Sequence, residues 1–329
     1  MLTIKAGLSA LCLLGAASVT TGAQAGMIDL GSMMGGANIY TLHHFSAPSS
    51  DVEGALVAGG NVNIASYSVN ALNRDAYLNG GSNGYALVAG GKLTLNGGSI
   101  NNGKAYVGGA VALTSAATPP MTTVKPIDFA ASAAYYQSLS TNLATVAGTG
   151  SVSKLYSGVK VSGNGNGVID VFNVTSEMFR TSSSWTLDKL TAGQTLIFNV
   201  SGSAATFNDG GISFDPLSAF NVLFNFFEAT DLNVKGIIGS VLAPKATVSA
   251  NSGVINGQVV VDNWSSTIQV NANHYFKPTE LAGFSMRAAD AAAVPEPGTI
   301  SLMLAGLLLL AFTARRKLAL KRAFKTAPR

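Results

Sequence analysis

The feature that most constrains how this chain can fold is an internal repeat. Ala55-Leu56-Val57-Ala58-Gly59-Gly60-Asn61-Val62-Asn63-Ile64 returns as Ala86-Leu87-Val88-Ala89-Gly90-Gly91-Lys92-Leu93-Thr94-Leu95. A shorter copy, Ala105-Tyr106-Val107-Gly108-Gly109-Ala110-Val111-Ala112-Leu113, has its Gly-Gly pair eighteen residues after the second. Each copy is a brief apolar run, a Gly-Gly corner and then strict alternation, such as Val62 and Ile64, which is the period of a strand with one buried face. A unit this small cannot bury its apolar face alone, so neighbouring units must stack.

The C-terminal half follows the same logic. Ile238-Gly239-Ser240-Val241-Leu242 and Asn256-Gly257-Gln258-Val259-Val260 are also eighteen residues apart. Glycine is expected at the corners because it takes positive φ without steric cost. One segment breaks the pattern: with Asp128 as N-cap, residues 129–144 contain no glycine and place Phe129, Tyr136, Leu139 and Leu143 near one helical face. The expected fold is therefore mainly β, a β-helix-like solenoid with one flanking α-helix.

Composition narrows the function classes. The 37 glycines of 329 residues carry no Gly-X-Y period, which excludes collagen. The only cysteine, Cys12, lies in an N-terminal apolar segment, so disulfide scaffolds and thiol catalysis are not expected of the mature protein. The net charge of +4 is concentrated at the end, where seven cations fall within the last fifteen residues. Between Gly26 and Ala293 twelve cations face fifteen carboxylates, a net −3, which gives no support to a nucleic-acid footprint.

Both termini read as addresses. Lys5, an apolar run from Ala6 to Val19 and the small residues Ala23 and Ala25 make a signal peptide over residues 1–25, cleaved by signal peptidase before Gly26. At the other end Val294-Pro295-Glu296-Pro297-Gly298 precedes an apolar run from Thr299 to Ala314, then Arg315 and Arg316. That run is a short transmembrane helix by composition, and the positive-inside bias leaves a basic cytoplasmic tail at 317–329. The remainder divides into a lead-in at 26–45, the β domain at 46–278 and a linker at 279–293.

The C-terminal segment resembles the PEP-CTERM sorting signal of Gram-negative bacteria. That resemblance implies an inner-membrane intermediate, recognition by an exosortase-type enzyme and delivery to the cell surface or extracellular matrix. The extra residues after the arginines depart from the usual pattern of such signals. Ser50-Asp51-Val52-Glu53-Gly54, the Val-Ala-Gly-Gly copies, Ile127-Asp128-Phe129, Asn221-Val222-Leu223-Phe224-Asn225-Phe226 and Gly239 to Ala246 resemble the choice-of-anchor A family. The implication is a surface or adhesive domain without established catalytic residues. Residues 221–261 are also similar to ice-binding β-solenoid domains, although no repeated Thr-x-Thr row is present.

Candidate chemistry is sparse. His43 and His44 are either a metal pair or a solvated loop, and His274 is expected as a partly buried packing residue of the last strand. Asp51 and Glu53 sit in an alternating strand, where capping a turn competes with acid–base work. Asn208-Asp209-Gly210-Gly211 with Asp215, and Asn164-Gly165-Asn166-Gly167 with Asp170, offer oxygen ligands for calcium or plain Asn-Gly and Asp-Gly turns. No nucleophile elbow is present. The reading is an exported, non-catalytic surface or matrix protein associated with exopolysaccharide, with no cofactor required; a polysaccharide-active enzyme on a β-helix and an ice-binding protein are the alternatives.

Overall fold

A computed structural model describes residues 25–78, 84–207 and 212–286. Among them the chain is mainly β, and parallel strands pair into three long ladders. The first ladder contains ten strands. Its spatial order runs through Ile169–Thr175, Thr195–Ser201, Asn221–Asn225, residues 241–243, residues 259–261, Ile39–Thr41, Leu56–Ala58, Tyr85–Ala89, Lys104–Val107 and Met121–Thr122.

The second ladder runs from Ala204–Phe207 through Asp231–Val234, residues 247–248, residues 263–265, Phe45–Ala47, residues 62–65 and residues 93–96 to Val111–Thr114. The third joins Gly236–Ile238, Val254–Asn256, Gln269–Asn271, Ser50–Gly54, residues 67–69 and residues 98–100.

The order in space is not the order in sequence. Ile39–Thr41, within the expected lead-in, lies between Val259 and Leu56 rather than at an end. The chain builds outward from there to Met121–Thr122, and the long helix Phe129–Ala144 carries it back along the stack. A second series of strands starts at Ile169 and meets the first through the pairings Ile39↔Val259 and Phe45↔Trp264. The helix is where the sequence places it, with the Asp128 carboxylate accepting from the N–H groups of Ala130 and Ala131. Tyr136, Leu139 and Leu143 are buried and Phe129 is half-buried. It is not the only helix, because Gly31–Met34 and Glu177–Arg180 add one turn each.

The helix explains the two kinds of apolar pattern. On the first ladder Tyr40, Val57, Val88, Ile197, Leu223 and Val260 face outward, yet all are buried, covered by the helix and by Ile28, Leu30, Met34, Phe276 and Leu281. Strands buried on both faces read as unbroken apolar runs, such as Leu196-Ile197-Phe198 and Val259-Val260-Val261, whereas the second ladder alternates because its outer face meets solvent. Gly26–Ile28 pairs antiparallel with Thr279–Leu281 on the covered side.

The Gly-Gly copies stack directly, with Ala58 beside Ala89 and Ala89 beside Val107. The reason differs from the expected one. Gly90 does not have a positive φ; instead its N–H donates to Ala58 O at 2.8 Å, and a Cβ there would lie 2.2 Å from Gly59 O. Close approach of successive coils, not backbone handedness, requires glycine at this corner.

A separate three-stranded sheet, Ser151–Leu155, Gly158–Ser162 and Trp185–Asp188, was not anticipated. Its Val159 and Val161 are buried in the interior core, with Trp185 packed against it. Cys12, Ala23, Asp209, the sorting residues 294–298 and 315–316, and the expected transmembrane helix 299–314 lie outside the described residues. Among the described residues no helix is long and apolar enough to cross a membrane.

Candidate functional site

The outward faces of the second and third ladders carry rows of polar side chains. On the second, Ser265, Ser46, Asn63, Thr94 and Ala112 occupy one row on successive rungs, spaced by the roughly 4.8 Å of paired strands. A neighbouring column ties the rungs together. Asn263 Oδ1 accepts from the His44 N–H at 3.0 Å, His44 Nδ1 from the Asn61 N–H at 3.0 Å, and Asn61 Oδ1 from the Lys92 N–H at 2.8 Å.

That column assigns the histidine pair. His44 accepts at Nδ1, which leaves the proton of the neutral ring on Nε2, while His43 Nδ1 contacts Asp262 Oδ1 at 2.5 Å. Both rings are exposed and each has its own protein partner, so the pair braces a corner. His274 is a correction: it is exposed, left-handed at φ 47°, and beyond the last ladder strand Gln269–Asn271.

The third ladder's face is more self-contained. Ser68 and Ser99 hydroxyls meet at 3.0 Å, Asn101 Nδ2 donates to Ser68 Oγ, and Asn271 Nδ2 donates to Asn256 Oδ1. Asp51 and Glu53 both lie here, half-buried on Ser50–Gly54. Asp51 accepts from Gln269 Nε2 at 3.3 Å, and Glu53 accepts from the Ala272 N–H at 2.7 Å. Burial, and secondarily the Glu53 charge, raises the Asp51 pKa above its ordinary value. The two carboxylates thus bridge to the neighbouring strand Gln269–Asn271 and the residue after it.

The calcium candidates separate. Asp170 is buried and takes hydrogen bonds from Thr149 Oγ1 and Gln194 Nε2, both at 2.7 Å, and from the Asn164 N–H. A carboxylate ringed by donors is the wrong setting for a cation that needs converging oxygens; Asp170 fastens the Asn164–Gly167 turn. Asp215 is exposed at the start of the 3-10 helix Asp215–Ala219. Among the described residues no group of three or more His, Cys, Asp or Glu side chains could hold a metal ion. Gly26, the expected mature N-terminus, begins the strand paired with Leu281.

A second repeat escaped the sequence reading. Val171-Phe172-Asn173, Ile197-Phe198-Asn199 and Leu223-Phe224-Asn225 recur every 26 residues and occupy consecutive rungs in register. Inward, the Phe172, Phe198 and Phe224 rings stack with successive centroids 5.0 Å apart. Outward, Asn225 Nδ2 donates to Asn199 Oδ1 at 2.9 Å and Asn199 Nδ2 to Asn173 Oδ1 at 3.0 Å. The signal was the matching Phe-Asn dipeptide, longer in period than the Gly-Gly copies.

With this geometry in place, comparison with known families is decisive. The model of the ice-binding-like adhesive domain matches residues 32–272. The chain belongs to that family. The adhesive domain is followed by a PEP-CTERM protein-sorting motif matched at residues 293–317, the sorting signal that the sequence resembles there. No curated protein and no solved structure matches this chain. The adhesive domain and the sorting motif together fit an exported, cell-surface protein.

Proposed function

We propose that this protein is a non-catalytic adhesive component of the cell surface or extracellular matrix, sorted through an exosortase-type system and bound to exopolysaccharide. On this reading the domain is a β-solenoid of the choice-of-anchor A kind. A signal peptide starts export, the segment after Gly298 holds the chain transiently in the inner membrane of a Gram-negative cell, and processing occurs near Pro295 to Gly298. One observation carries it: an adhesive domain spanning residues 32–272 precedes the sorting motif and presents the long second-ladder face of Ser, Asn and Thr side chains. Such a face suits many weak hydrogen bonds to a polyhydroxylated polymer, and repetition along a rigid support gives avidity. Its mixed row of Ser, Asn, Thr and Ala lacks the regular threonines expected of ice binding.

Two measurements test it. An internally tagged protein is expected at the surface or in the matrix of cells with their exosortase, and retained in the inner membrane without it. Purified protein incubated with exopolysaccharide is expected to be retained without releasing shortened oligosaccharides. Steady oligosaccharide release, abolished by Asp51→Asn or Glu53→Gln, would establish the enzyme alternative instead.

A further inference from the structure

The 26-residue Phe-Asn repeat ends at a cavity. We infer that this cavity, at the C-terminal end of the long helix, is a binding subsite for a neutral saccharide; the inference deepens the exopolysaccharide reading above and rests on it. Its volume is about 450 Å³, inside the ~300–1,000 Å³ range of small-molecule sites. Asn173, Thr175 and Ser201 supply polar groups, Val152, Met178 and Phe227 supply apolar ones, and no lining side chain is charged. A charged ligand would find no counter-ion there, and a purely apolar one would leave the amide and hydroxyls unpaired. A pyranose has both surfaces: hydroxyls around its edge and C–H groups across its faces.

The Asn173 amide is held in one orientation by groups behind it. Ser140 Oγ donates to Asn225 Oδ1 at 2.6 Å, and Asn225 Nδ2 donates to Asn199 Oδ1. Asn199 Nδ2 in turn donates to Leu143 O at 2.8 Å and to Asn173 Oδ1 at 3.0 Å. Asn173 Nδ2 donates to Val146 O at 3.2 Å. Asn225 and Asn199 are buried, whereas Asn173 is exposed. With one lone pair and one N–H committed, the Asn173 amide keeps one acceptor and one donor for a ligand. This pair matches two adjacent sugar hydroxyls, one donating and one accepting. Because buried neighbours fix the amide beforehand, binding does not bear the cost of orienting it. Asn173 is the contact residue and Asn199 a positioning residue.

The test uses the full chain in a detergent without a sugar headgroup, and saturation-transfer NMR with methyl glycosides of glucose, galactose and N-acetylglucosamine. Transfer from at least one of these is expected, with affinity reduced tenfold or more by Asn173→Ala and by Phe227→Ala. Val124→Ala, exposed near the N-terminal end of the helix and outside both the cavity and the second-ladder row, is expected to leave it unchanged, and Asn173→Ala to keep the wild-type melting temperature. Absence of transfer from all three glycosides, or transfer undiminished in both cavity variants, overturns the subsite. Retention on exopolysaccharide is measured in parallel. Retention that survives both variants without glycoside binding rejects the subsite and leaves the adhesive reading intact; glycoside binding without polymer retention does the reverse.

Discussion

The two arms that meet at the central coil solve the same packing problem with different residues. In the arm from Leu56 to Thr122 the coils approach through glycine, so closely that Gly90 N–H and Gly59 O belong to touching backbones. Its core is mainly aliphatic, with Leu56, Ala58, Leu87 and Ala89, and Tyr67 is its large buried ring, edge-on to Phe45. In the arm from Ile169 to Asn225 the interior is a stack of phenylalanines with Phe179 edge-on to Phe198 at 6.0 Å. The aromatic arm has Val159, Val161 and Trp185 of the three-stranded sheet against its core. Among the described residues the glycine arm has no such cap, and Val111, Met121 and Val124 are 43%, 44% and 69% exposed at its end. Repeating stacks need a finished end to stay soluble; among the described residues one arm has an apolar cap and the other does not. The comparison teaches that backbone proximity can replace side-chain bulk, at the price of a corner that tolerates no side chain.

Substitutions should separate the two strategies. Phe198→Ala removes a ring stacked on both sides and should have the largest effect, about 4 kcal/mol, read from denaturant unfolding. An effect below about 1 kcal/mol would mean that the aromatic stack does not support its arm. Gly90→Val forces a side chain against the Gly59 carbonyl and should lose about 3 kcal/mol. An unchanged melting temperature would place this corner elsewhere. Asn199→Ala removes one of the donors to the Leu143 carbonyl and breaks the amide chain from Asn225 to Asn173, and should lose about 2 kcal/mol, with faster amide exchange at residues 143–146.

Titration probes the covered face common to both arms. Burial pushes Tyr40 up to about 12 from an ordinary value of 10, so the folded state keeps a proton that the unfolded chain releases. Stability from this group is complete below pH 10 and lost as pH rises toward 12. Alkaline unfolding in that window should weaken in Tyr40→Phe. The smallest effect belongs to the open end, where Met121→Gln should change stability by less than about 0.5 kcal/mol. A loss comparable to Gly90→Val would show that this end is buried by something else.

Much of this was legible in sequence, for identifiable reasons. The Gly-Gly copies repeat because each corner faces the one above it, and Asp128 caps the helix through contacts two and three residues away. Such short-range rules can be read from spacing. The central position of Ile39–Ala47 could not, because pairing across some 220 residues leaves no local mark. The role of Asp170 was obscured because its donors come from outside its own strand, Thr149 from the bend after the helix and Gln194 from the residue before the next strand. His274 was misread because its Tyr275 and Phe276 neighbours look strand-like, while residues 272–278 belong to no strand and His274 is left-handed.

The central claim is that the two arms meet on the strands Ile39–Thr41 and Phe45–Ala47, and a cross-link tests it most directly. In a Cys12→Ser background, Ser46→Cys with Ser265→Cys joins register neighbours far apart in sequence. Paired strands hold their Cα atoms at roughly 4.8 Å, within disulfide reach. Oxidation of the folded protein should give this bond in high yield, and Ser46→Cys with Asn233→Cys should give none. Absence of the 46–265 bond, or equal yield from the 46–233 pair, would contradict a stack whose first coil lies in its middle.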